Sequence, residues 1–264
     1  MGVQETPDYL GDVKDVRKVA AFYKRLADYI NSLRGGKSLA ANMLLHWLDA
    51  SGSLYTFPGS YLCGVSFVED YLLDSVRSVF LSEKPRFSDG KIGGIVPRIR
   101  RDPGFRDDPI GGPYKLFYEG ESCCSPLSVQ DALFNSGLEE ALKSPAAREA
   151  DIFCSLHDFT IQTNVVMEAK PWRGKMYEVL FTDWRSHAND SYQFDEVKHL
   201  TVPNPDYQST APDAVASFSK MITIYHTNAK RLTDPKLAAN FKDKSTDWKP
   251  MNSRIWGHGF VDIS

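Results

Sequence analysis

The stretch Asn189-Asp190-Ser191-Tyr192-Gln193-Phe194-Asp195-Glu196-Val197-Lys198-His199 gathers three acids, a tyrosine, a lysine and a histidine. It follows a strand-like run, Met176 to Trp184, and reads as a polar turn. A turn that needs only solubility is usually built from Gly, Ser, Asn and Pro. Acids and a histidine at the end of a strand are what metal binding or proton transfer requires. If the chain bends at Asp195, then Asp190, Tyr192 and His199 converge. Asp190 could bind a hard divalent cation (Mg or Ca) through oxygen, with Asp195 supporting the metal or His199. Such a cation would polarise a phosphoryl group. His199 could deprotonate a water or protonate a leaving oxygen. Tyr192 could orient a phosphate oxygen, and Arg185 and Lys198 could hold a diphosphate. The competing reading is an edge turn with solvated acids and inward aromatics, and spacing alone leaves both open.

Other motifs carry less. Gly35-Gly36-Lys37-Ser38 has Asn31 where a phosphate-binding loop needs its first glycine, and no strand precedes it. It reads as a helix-helix turn with a capping serine. His46 beside Trp47 reads as a structural histidine. There is no His-Glu-x-x-His helix and no Gly-x-Ser-x-Gly elbow. Cys154 and His157, placed on a strand at i and i+3, would point to opposite faces. Cys63, Cys123, Cys124 and Cys154 match no zinc spacing and read as reduced thiols. Arg98, Arg100, Arg101 and Arg106 are offset by Asp102, Asp107 and Asp108, which favours a solvated loop.

The 264 residues suffice for one large or two small domains, and 42% apolar with 25% charged residues is ordinary for a globular chain. A net charge of −3 argues against a general nucleic-acid binder, which needs excess Lys and Arg. No run approaches a transmembrane segment, and Met1 to Thr6 lacks a basic-then-apolar signal peptide.

Helical spacing joins Val13, Val16, Ala20, Tyr23, Ala27 and Ile30, ending at Gly35-Gly36. A second helix starts from Ser38, and a third opens on a Ser66/Glu69 capping box. Residues 83 to 113 read as loop, and Val129 to Lys143 as a short helix. Strand alternation covers Cys154 to Ala169, with a hairpin turn at Pro171 to Lys175. A link from Val202 to Pro212 leads to a last helix, Asp213 to about Arg231. An irregular tail follows, with Trp248 and Trp256 packing back on the body. The expected fold is α+β: a helical N-terminal part over residues 1–110, then an antiparallel β-sheet with a closing helix over 111–264.

The polar stretch resembles the signature of the colicin M-like toxins: Asp-x-Tyr-Asp, five residues, then His-Arg. Asp190, Tyr192 and His199 fall at matching offsets. Gln193 stands where the family has its second acid, and Leu200 where it has arginine. A looser likeness to bacterial polymorphic-toxin and type VI secretion-associated families spans about residues 38 to 242. It covers Ala41 to Leu48, Asp190 to Asp195 and Leu237 to Phe241. The resemblance implies a metal-dependent phosphodiesterase that cleaves lipid II, the lipid-linked peptidoglycan precursor, in the periplasm of a target cell. It implies an antibacterial role, delivery without a cleavable signal, and a cognate immunity protein as partner. Two other readings stand beside it. One is a non-enzymatic adaptor or immunity-like binding protein. The other is a different envelope hydrolase, such as a muramidase using Glu168 and Asp183.

Overall fold

The computed structural model describes residues 8–72, 98–101, 114–124, 142–143, 147–173, 176–194, 199–207, 221–250 and 258–262. The fold is α+β. The chain divides into two compact units, each assembled from three stretches. One draws on residues 1–55, 126–157 and 190–243, the other on 56–125, 158–189 and 244–264.

In the first unit, α1 spans Val16–Leu33 and buries Val19, Phe22, Tyr23, Leu26, Ala27 and Ile30, a stripe at helical spacing. Asp15 caps its start by accepting from the Arg17 N–H at 3.0 Å. Its end is a glycine stop. Gly35 and Gly36 take φ of 61° and 81°, and their N–H groups donate to the carbonyls of Ser32 and Asn31. Helix α2, Leu39–Leu48, starts from Ser38 as expected: the Ser38 Oγ accepts from the Ala41 N–H at 3.0 Å. Helix α3, Ala147–Leu156, places buried Asp151 at that same helix start. This unit also holds a two-stranded antiparallel sheet. In it β6, His199–Pro203, pairs with β7, Met221–Tyr225, and the short helix α4, His226–Lys230, follows.

The second unit is built on an antiparallel sheet. Strand β2, Arg98–Arg101, pairs with β3, Tyr114–Cys124, and β3 pairs with β4, Phe159–Arg173. Strands β4 and β5, Met176–Tyr192, form the expected hairpin, with Arg173 opposite Met176. Strand β9, His258–Asp262, lies on the other edge of β5. Strands β1, Tyr55–Phe57, and β8, Phe241–Ser245, complete the order β1-β8-β5-β4-β3-β2. Phe159, Ile161, Val165, Met167 and Trp184 are buried on one face, as a period of two requires. A polar ladder runs through this core. The Trp184 indole donates to Ser186 Oγ at 2.9 Å, and Ser186 meets Thr163 Oγ1 at 3.0 Å. Trp248 packs back as expected, exchanging backbone hydrogen bonds with Ser186. Gly59 is required here, because a Cβ at that position would collide with the Thr246 carbonyl oxygen.

Several expected elements change. Cys154 lies in α3, and the strand starts only at Phe159. The arginines 98, 100 and 101 sit on β2, and β3 occupies a stretch whose Leu116-Phe117-Tyr118 run hides its alternation. The middle of the expected last helix forms β7 instead, and among the described residues only its end, His226–Lys230, is helical. Met221-Ile222-Thr223-Ile224-Tyr225 is rich in β-branched residues and finds a partner in β6. The tail is not irregular: it supplies β8 and β9. Glu69 reaches back, but to the Gly64 N–H at 2.8 Å. The helices expected over 129–143 and from Asp213 to Lys220, and Trp256, lie mostly or wholly outside the described residues.

Candidate functional site

The polar stretch does not begin as a turn: β5 continues through Asp190 and Tyr192. Alternation puts Asp190 and Tyr192 on one face and exposed Ser191 on the other. Aromatic contacts fix this strand end within the first unit. Tyr192 stacks on Phe241, with centroids 5.0 Å apart and planes 12° from parallel. Phe194 meets Tyr192 edge-on at 5.5 Å and packs on Trp47 at 4.8 Å and on His226 at 5.1 Å. Tyr23 closes on Trp47 at 5.9 Å. Each is an offset or tilted arrangement of the kind aromatic pairs prefer.

Phe241 opens β8, whose inward and outward residues alternate. Lys242 and Lys244 face solvent, while Phe241 and Asp243 face inward. Asp243 is 2% exposed, and neither carboxylate oxygen has a hydrogen-bond partner among the described residues. Burial, and then the negative charge of Asp190, push its pKa up to about 8. Desolvation disfavours the charged form, and a like charge adds to it. Asp243 therefore carries a proton at neutral pH. Burial also pushes the Tyr192 phenol up, so it too stays protonated. A partly exposed acid, a buried protonated acid and a phenol thus share one patch of aromatic surface.

The same pair is suited to a cation. Asp243 supplies two buried oxygens without partners and Asp190 a second carboxylate, the oxygen donors that hard divalent cations take. Among the described residues, no group of three or more His, Cys, Asp or Glu side chains is placed to hold a metal.

The other expected site residues are more dispersed. His199 begins β6 opposite Tyr225; its side chain, and Asp195 and Lys198 as whole residues, lie outside the described part. Arg185 sits on the exposed face of β5, paired with Asp183 at 3.3 Å. Lys249 also donates to Asp183 at 2.7 Å, and this bond, more than the Arg185 charge, holds the Asp183 carboxyl below its ordinary value. Cys154 is no nucleophile in waiting, because burial pushes its thiol up. His46 is a structural histidine, bonded to the Ser53 carbonyl and set against Phe241 at 4.7 Å. At the start of α2, where a phosphate would bind, the Asp151 carboxylate is already in place.

Asp243 was absent from the sequence reading. The signal for it was Phe241-Lys242-Asp243-Lys244-Ser245, whose alternation sets the acid inward between two outward lysines. No protein-family model, no curated protein and no solved structure matches the chain.

Proposed function

We propose that this protein is an antibacterial toxin that hydrolyses the phosphoester of a lipid-linked cell-wall precursor, lipid II, with a divalent cation as cofactor. The observation that supports the reading is Asp190 beside Asp243, a buried carboxyl without hydrogen-bond partners among the described residues. Burying an acid this way costs stability, and such costs concentrate where chemistry is done. Asp190 and Asp243 would hold the cation, which when bound supplies charge stabilisation at the phosphoryl group. Tyr192 donates its phenolic proton to a phosphate oxygen and orients it. His199 is the acid-base group and Asp195 its support, as in the resemblance that suggested them. Arg185 and Lys198 remain candidate holders of the diphosphate. Delivery by a secretion system into a target periplasm, and a cognate immunity protein in the producer, belong to the same reading.

The test is growth of a susceptible bacterium that makes the protein with an added periplasmic signal, beside the Asp190→Asn variant, with lipid II measured in the same cells. Lysis with loss of lipid II, both absent in the variant, is the expected result. Lysis with lipid II intact would move the activity to another envelope bond. No toxicity would sink the hydrolase reading and leave a binding module as the better account.

A further inference from the structure

We infer a metal site on the outward face of the second unit's sheet, where His187 and Asp247 hold one late first-row divalent cation of the Zn²⁺ class. Alternation buries Ser186 and Ala188 and turns His187 outward on β5. Gln162 stands opposite it on β4. The His187 Nε2 lies 2.8 Å from the Gln162 Oε1, and an amide oxygen only accepts, so Nε2 carries the proton. In a neutral ring that leaves a lone pair on Nδ1. Burial, and after it the charge of Lys244, hold His187 below its ordinary pKa, so the ring is neutral at pH 7. Nδ1 faces the Asp247 Oδ1 at 3.5 Å. The distance decides what belongs there. An N–H···O bond reaches about 3.2 Å, whereas two ligands each about 2.1 Å from a tetrahedral Zn²⁺ lie about 3.4 Å apart.

Both ligands sit on fixed backbone. Ser186 and Trp248 exchange hydrogen bonds at 3.0 and 2.8 Å, and the Ala188 N–H donates to Ser245 Oγ at 2.8 Å. The segment that carries Asp247 is thus pinned on either side of His187. Gln162 does what the outer partner of a metal-bound histidine does: it fixes the tautomer and the ring plane. An imidazole with one carboxylate suits Zn²⁺, Ni²⁺ and Cu²⁺ better than Mg²⁺ or Ca²⁺. Among the described residues no third His, Cys, Asp or Glu joins the pair, and Lys244 adds a repulsion. The site is therefore weak and open. Asp247 is 60% exposed, and the remaining positions go to water or to an oxygen or nitrogen ligand brought by a substrate or partner. It shares no residue with the proposed hydrolytic site and stands independently of that reading.

The experiment uses the full chain without a histidine tag, stripped with EDTA and dialysed. Zn²⁺ is titrated by calorimetry, and the His187 ring is followed by long-range proton–nitrogen NMR. Before metal is added, the ring should show the neutral Nε2–H tautomer, and Zn²⁺ should then shift its Nδ1 resonance. His187→Ala and Asp247→Asn should each remove the binding event, and Gln162→Ala should weaken it by roughly 10-fold. Asp190→Asn and Asp243→Asn should leave the Nδ1 shift as it is, which separates this site from the cation of the proposed function. Circular dichroism checks each fold; should His187→Ala fail to fold, the exposed Asp247 decides. An Nδ1–H tautomer, an Nδ1 resonance unmoved at millimolar Zn²⁺, or unchanged Zn²⁺ affinity in Asp247→Asn would overturn the site.

Discussion

Two buried aspartates in the first unit differ in one respect. Asp151 accepts from the Ser38 hydroxyl at 2.6 Å, the Leu39 N–H at 2.8 Å and the Ala40 N–H at 3.3 Å. Asp243, as deeply buried, accepts from nothing among the described residues. The first carboxylate completes a helix terminus, whose N–H groups and dipole favour an anion. The second is a cost that the fold carries. Burial alone therefore does not mark an acid as functional; the missing partners do.

The contrast yields graded predictions. Asp151→Ala should have the largest effect, a loss of about 3 kcal/mol, because it orphans three buried donors; chemical denaturation measures it, and an unchanged midpoint would break the comparison. Asp243→Asn should act in the opposite direction, raising the denaturation midpoint at pH 7 in chelator. The sign follows from the raised value. A raised acid contributes full stability below its ordinary pKa and loses it as pH climbs to the folded-state pKa. Wild type should therefore fall behind Asp243→Asn as pH rises from 3.8 to about 8, and match it below that window. Equal pH profiles would show that Asp243 is solvated after all.

Tyr192→Phe keeps the stack on Phe241 and should change stability by less than about 1 kcal/mol. It should still slow lipid II consumption by on the order of 100-fold, the usual cost of one lost donor to developing charge. Unimpaired consumption would remove Tyr192 from the site. The smallest effect belongs to Asp183→Asn. Its partner Lys249 is 59% exposed, and exposed pairs of this kind shift stability by about 0.5 kcal/mol or less. A larger loss in denaturation would mean that this half-buried acid is as structural as Asp151.

The helical half was legible because its signals are local. The stripe on α1, the Gly35-Gly36 stop and the Ser38 cap all act within a few residues, and each formed where the sequence places it. The β4–β5 hairpin was legible for the same reason. Strands β3, β7 and β8 were not, since a short apolar run becomes a strand only when a partner edge satisfies its backbone. The site divided along the same line. Asp190 and Tyr192 announce themselves two residues apart, but strand β5, not a turn, carries them. Asp243 lies 53 positions further on than Asp190 in chain order, and nothing local relates the two.

Residue types and short spacings thus determined the α+β class, the helix limits and the acid-and-tyrosine end of β5. Tertiary structure decided which acid stands beside Asp190, that Asp243 is buried without donors, and that Asp183 is held ionised by Lys249. The physical reason is range. Capping and helical periodicity act over one or two turns of chain, whereas desolvation and charge depend on what distant segments bring within a few ångströms.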